Sequence, residues 1–241
     1  MKIKIPILII FLFFYALLAQ EKVAKTEFLP EIRFYVGLPY SSHNVGHSFV
    51  RVSTGDSHGE VIYDFGRYGK SGGYLNFSGE GIMRVWRGKA AVKFFLKKQQ
   101  RFRDFVEYRI KITPEVHKNI YLYYESLLKN AKLVEEHPNH KRFKLKRDFD
   151  GVTVQCTAMA LEGLRLKMDK KDYNSLLDPK FNKGEGFTEE QKNYYFKVQK
   201  EKKIDYVSVP LDVVKALDFA LKKKHSLIID RKYYKKISNS F

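Results

Sequence analysis

The sequence predicts an α+β domain in which an antiparallel sheet packs against helices. Three observations predict it. Short apolar runs punctuated by glycine crowd residues 32–112, capped helical patterns dominate after Thr113, and the two classes are segregated rather than alternating. The chain has 241 residues, 44% of them hydrophobic and 15% aromatic, so it can bury one sizeable core.

The elements follow in order. Ile32–Val36 (IRFYV) has the β-branched and aromatic content of a strand. GHSFVRV, 46–52, is a strand entered through a glycine, and GEVIYDFG, 59–66, is a second, separated from it by the turn-like STGDSHG. The glycine-rich GRYGKSGGYLNFSGEG reads as a loop, GIMRVWRG (81–88) as a strand and KAAVKFFLKKQQ (89–100) as a short helix. FVEYRIKI, 105–112, alternates: Val106, Tyr108, Ile110 and Ile112 face one way, Glu107, Arg109 and Lys111 the other, which predicts a half-exposed strand. Thr113 caps a helix with Pro114 at its first position and an apolar stripe of Val116, Ile120, Tyr124 and Leu127. Residues 133–150 are charged and loop-like. A helix then runs from Cys156 to about Met168, and 174–187 reads as a linker. Thr188 and Gln191 form a capping box for a polar helix carrying Tyr194, Tyr195 and Val198. Pro210 opens a last amphipathic helix, Leu211–Leu221, with Lys222, Lys223 and Lys224 at its negative dipole end. The stretch from about 170 to 241 is read as a helical C-terminal part of the same domain, ending in a Lys/Tyr-rich tail.

The N-terminus, MKIKIPILIIFLFFYALLAQEK, follows signal-peptide grammar: Lys2 and Lys4, an apolar run to Ala19, then polar residues. Residues 1–19 are therefore a signal peptide or an N-terminal anchor, and 20–241 one exported domain, periplasmic or extracellular. The formal charge is +18, and removing residues 1–19 takes away two lysines and no acid, leaving +16. Such a surface favours anionic surroundings, and after export these are the cell wall or a lipid surface. No nucleic-acid recognition motif accompanies the charge.

Cys156 is the only cysteine and stands at the head of its helix. One reading is a small buried apolar side chain. The other is a nucleophile, because a helix N-terminus lowers a thiol pKa and its free N–H groups can hold an oxyanion. A cysteine nucleophile needs an imidazole and a group that orients it. Of seven histidines, His47 alone opens a strand among apolar residues. His43, His58, His137, His140 and His225 fall in turns or charged loops, and His117 falls in the first turn of a helix, where exposure is expected. Asp64 ends the strand that would pair with the His47 strand. The candidate set is Cys156 as nucleophile, His47 as base, Asp64 as orienter and Gln155 as oxyanion support.

GHSFVRV, then a strand ending YDFG, then QCTAMALEGL on a helix resembles the circularly permuted branch of the NlpC/P60-like cysteine hydrolases, in which the His strand precedes the Cys helix. The details are most similar to the periplasmic domain of Lnb-type lipoprotein N-acyltransferases. The resemblance covers roughly residues 32–168, and SVPLDVVKAL, 208–217, is similar to the Pro-opened helix that closes such domains. It implies a papain-like fold, His47 as base, Cys156 as nucleophile, and a hydrolase (cysteine peptidase) or acyltransferase without a cofactor. Gln155 departs from the asparagine common before the cysteine. The Lnb-type enzymes carry membrane helices after this domain, and no second long apolar run follows here.

Two other sites fail on spacing. GRYGKSGG lacks the P-loop glycine, since Asp64 occupies its position. His43, His47, His58 and Asp64 match no common zinc pattern, so no metal is expected. The competing function is a non-catalytic basic binding domain on the same fold, with Cys156 inert.

Overall fold

A computed structural model of the chain describes residues 30–41, 44–53 and 59–237. The signal-type segment 1–19, His43 and His58 lie outside the described residues. The described architecture is α+β. Nine strands form one antiparallel sheet: β1 (Glu31–Gly37), β2 (His47–Ser53), β3 (Glu60–Gly72), β4 (Ser78–Arg87), β5 (Phe105–Lys111), β6 (Lys132–His137), β7 (His140–Lys144), β8 (Phe149–Asp150) and β9 (Ile228–Tyr234). Their order is β6-β7-β4-β3-β2-β1-β5-β9, with β8 pairing the start of β4. Six helices accompany them: α1 (Lys89–Phe102), α2 (Pro114–Lys129), α3 (Cys156–Lys167), α4 (Lys170–Leu176), α5 (Glu189–Lys202) and α6 (Pro210–Lys222).

Side-chain alternation splits the strand residues between two cores. Ile32, Phe34, Val36, Val50, Val52, Tyr63, Phe65, Met83 and Val85 face α2, α3, α4 and α6 in the main core. Tyr35, Phe49, Ile62, Trp86 and Phe105 face the other way and bury Val92 and Phe95 of α1. The central strands β1–β4 are thus covered on both faces, which explains their dense apolar runs. Thr113 accepts the Val116 N–H at the start of α2, and the Thr188/Gln191 capping box forms at the start of α5, as their residue types predict.

Five expectations need correction. The charged segment 133–150 is not a loop: it forms the β6–β7 hairpin and β8, because cross-strand pairs Glu135–Arg142 and Glu136–Lys141 stabilise a ribbon without apolar alternation. The glycine-rich stretch extends β3 to Gly72 before a 3-10 turn at 74–76. His117 is buried at 7% exposure, because the buried stripe of α2 runs His117, Ile120, Tyr124, Leu128. The segment 174–187 ends α4, forms a 3-10 turn at 179–181 and then follows an anchored path: buried Asp212 accepts the backbone N–H groups of Lys183, Gly184 and Glu185 at 2.8, 2.7 and 3.3 Å. The C-terminal part is helical only to Lys222, and the Lys/Tyr-rich tail becomes the edge strand β9 on β5. There Tyr234 donates to Glu107, burying the face of β5 that the alternation leaves polar.

Candidate active site

The start of β2 is set by Gly46, whose φ of +86° and whose approach to the Gly37 carbonyl exclude a Cβ, which would sit 2.5 Å from that oxygen. This turn delivers His47 as the first residue of the strand. By alternation His47 shares a face with Phe49, Asp64 with Ile62, and Arg84 with Trp86. Asp64 and Arg84 are direct cross-strand partners on β3 and β4. His47 Nε2 lies 2.6 Å from Asp64 Oδ1, and Arg84 Nη2 lies 2.5 Å from Asp64 Oδ2, close in distance though not aligned as a hydrogen bond. Tyr68 stacks under the Arg84 guanidinium at 5.1 Å. Asp64 has no exposed surface, whereas His47 keeps 18% of its side chain accessible, so the ring can be reached and the carboxylate cannot.

The N-terminus of α3 meets His47 from the other side. Thr157 donates to Ser48 at 2.9 Å, which ties the first turn of α3 to β2. Cys156 follows Gln155, an N-cap whose side chain makes no capping hydrogen bond and instead donates to Ser208 at 3.4 Å. The Cys156 sulfur interacts with His47, the Ser48 N–H and the Thr157 hydroxyl. Nε2 of His47 faces Asp64, which leaves Nδ1 as the ring nitrogen available to the sulfur. Sequence reasoning thus named four residues that the structure brings together: Cys156, His47 and Asp64 in a line, and Gln155 beside them, tied to Ser208.

Electrostatics follow from this line. Burial disfavours a charged His47, but the Cys156 sulfur and the Asp64 carboxylate outweigh it, and its pKa is pushed up to about 9. Burial also raises the Cys156 thiol, yet the charge and hydrogen bond of His47, with smaller help from Ser48 and Thr157, hold it below its ordinary value of 9.0. Against burial, Arg84 and then His47 keep Asp64 below the usual carboxylate range. The arrangement therefore favours a thiolate–imidazolium pair whose ring is held in one orientation by Asp64. Arg103, stacked over Tyr40 at 4.3 Å, feels both Asp64 and Cys156 and places a further cation near the pair.

Cys156, only 8% exposed, and His47 line a cleft of about 510 Å³. Val45, Leu75, Phe77, Phe149, Phe187 and Pro210 give it apolar walls, while Asn44, Arg67 and Gln191 supply polar groups. Gly186 lets the Phe187 wall close on β2's entry loop: its φ is +87°, and a Cβ would lie 2.4 Å from the Asn44 carbonyl. Sequence reasoning missed Arg84, Asp212 and Phe187. For Arg84 a signal existed, an arginine between Ile82 and Trp86 on one strand face. For Asp212 and Phe187 none did, because both act through contacts distant in the chain. Comparisons with protein families, curated proteins and solved structures find no match to this chain.

Proposed function

We propose that the protein is an exported cysteine-nucleophile hydrolase or acyltransferase on a papain-like, permuted NlpC/P60-type fold. It acts on an amide or ester bond of an anionic cell-envelope substrate, a peptidoglycan peptide or an acyl lipid. The observation that carries the reading is the convergence of the only cysteine of the chain, at a helix N-terminus on a cleft, with a His47–Asp64 pair. The Cys156 thiolate attacks the acyl carbon and the carbonyl electron pair moves to oxygen, which in this reading the first N–H groups of α3 and the Gln155 amide hydrogen not given to Ser208 hold. As the tetrahedral species collapses, the bond to the leaving amine or alkoxide breaks and His47 Nδ1 supplies its proton. The thioester is then resolved by water or an amine, which gives its proton to His47 while the thiolate departs. Asp64 fixes the ring throughout, and Arg84 fixes Asp64. The aromatic walls suit an apolar acyl portion, and Arg67 with the basic surface suits an anionic neighbour.

The test is intact-mass analysis after incubation with activated acyl esters and acyl amides at neutral pH. The result expected is one hydroxylamine-labile acyl adduct per chain, absent from Cys156→Ala. A folded protein that takes no adduct from either class sinks the enzyme reading and leaves the binding domain with an inert Cys156.

A further inference from the structure

Helix α1 carries a surface that the cleft does not use. Its sequence, KAAVKFFLKKQQRF, holds five cations and no acid. Ala91, Val92, Phe95 and Gln99 turn inward, which leaves Lys89, Lys93, Lys97, Lys98 and Arg101 exposed together with two large aromatics. Phe94 is 48% and Phe102 49% exposed. At 100° per residue, Lys97, Lys98 and Arg101 lie within about 60° of Phe94 around the helix, so the ring stands inside a cationic collar. Among the described residues none of these five cations forms an ion pair.

The end of the chain extends the patch. Ile237 N donates to the Gln100 carbonyl and Gln100 Nε2 to the Lys235 carbonyl, so Lys235, Lys236 and Ile237 lie alongside the C-terminal end of α1. Ile237 is 46% exposed. The nearby acid, Asp104, is occupied by Tyr233 and the Lys236 N–H.

We infer that this face docks the protein on an anionic lipid bilayer, with Phe94, Phe102 and Ile237 entering the headgroup boundary and the lysines meeting lipid phosphates. Charge complementarity selects an anionic occupant: seven exposed cations on α1 and the chain end outnumber the one ionised acid beside them, Asp104. The exposed rings select a bilayer over a soluble polyanion, since only the bilayer buries them. The residues of this face are distinct from those of the cleft, so docking is independent of the Cys156 chemistry, and Cys156→Ala retains it.

Lysine acetylation footprinting of the full chain reads this locally, whatever the N-terminal apolar segment contributes. The protein is mixed with vesicles of equal phosphatidylglycerol and phosphatidylcholine, with phosphatidylcholine vesicles, or with polyphosphate. With the anionic vesicles, acetylation of Lys93, Lys97 and Lys98 falls at least about fivefold, while exposed Lys167 and Lys171, behind the opposite face of the sheet, stay reactive. Phe94→Ser weakens this protection about tenfold in lipid titrations. The triple change Lys97→Gln, Lys98→Gln, Arg101→Gln, on solvent-facing positions that leave the core intact, weakens it on the order of a hundredfold. Unchanged acetylation of α1 with anionic vesicles overturns the inference. So does equal protection by polyphosphate that ignores Phe94→Ser, which marks a polyanion site. Failure of the acyl-adduct test with protection intact removes the enzyme reading and leaves this one standing.

Discussion

Removing the His47 ring should silence the Cys156 thiol. The rise of the His47 pKa from 6.5 to about 9 corresponds to about 3 kcal/mol of preference for the imidazolium. The coulombic attraction of Cys156 is the largest single favourable contribution to it, and an adjacent opposite charge is generally worth on the order of 1–3 pKa units, so loss of the ring should cut the thiolate population on the order of thirtyfold. What remains around the sulfur in His47→Ala is the Ser48 N–H and the Thr157 hydroxyl against full burial, and burial drives the thiol upward. The assay is the rate of iodoacetamide labelling between pH 5 and 10, with circular dichroism as the fold control. Labelling at pH 7 should drop about thirtyfold or more, with the inflection moved to higher pH. The substitution opens space beside the sulfur, so a slower reaction cannot be steric. Labelling of the folded variant within threefold of wild type, with an unmoved inflection, would falsify the charge pair and with it the assignment of His47.

Arg84→Met leaves Asp64 buried with His47 as its remaining charged partner, and should cost about 3–5 kcal/mol in urea unfolding at pH 7. Because Asp64 is held below its usual range, that contribution is present above the ordinary carboxylate pKa and lost as pH falls, so wild type and variant should converge in acid. The His47–Cys156 pair gives a different signature. His47, raised, contributes stability that is full below 6.5 and lost as pH climbs through about 9, and Cys156, lowered, contributes stability present above 9.0 and lost as pH falls through its folded value. Thiolate–imidazolium carries as many protons as thiol–imidazole, so wild-type stability should stay nearly flat from pH 7 to 9, and a steep slope there would contradict the pair. Asp212→Ala strips three backbone N–H groups of their acceptor and should destabilise the fold by about 2 kcal/mol, discounted for the exposure of Lys183. With the Phe187 wall loosened, ligand affinity at the cleft should fall more than the iodoacetamide rate of Cys156, and equal losses would argue for general unfolding.

Sequence reasoning reached furthest where local physics decides. Strands with dense apolar runs, the Thr113 and Thr188 caps, and the helix that starts at Cys156 all depend on neighbours within about four residues. It went astray where the deciding partner is remote. The 133–150 hairpin rests on cross-strand charge pairs, the 183–187 path on a carboxylate in α6, and β9 on the open edge of β5. His47 and Cys156 were legible as candidates because each residue type stands at an element's start, the one place where a side chain escapes the sheet or holds free N–H groups. Their meeting was not, because it depends on the packing of α3 against β2 through Thr157 and Ser48.

By itself, then, the sequence determined the α+β class, the position of the thiol at a helix N-terminus, and the identity of its imidazole and carboxylate candidates, since periodicity and capping are encoded within a few residues. Only the tertiary structure decided that Asp64 is shared between His47 and Arg84, that Phe187 walls the cleft, and that α1 shows solvent its rings and lysines together. Those outcomes depend on strand register and helix packing across separations from 17 residues, between His47 and Asp64, to 109, between Thr157 and Ser48, and no local pattern carries such distances.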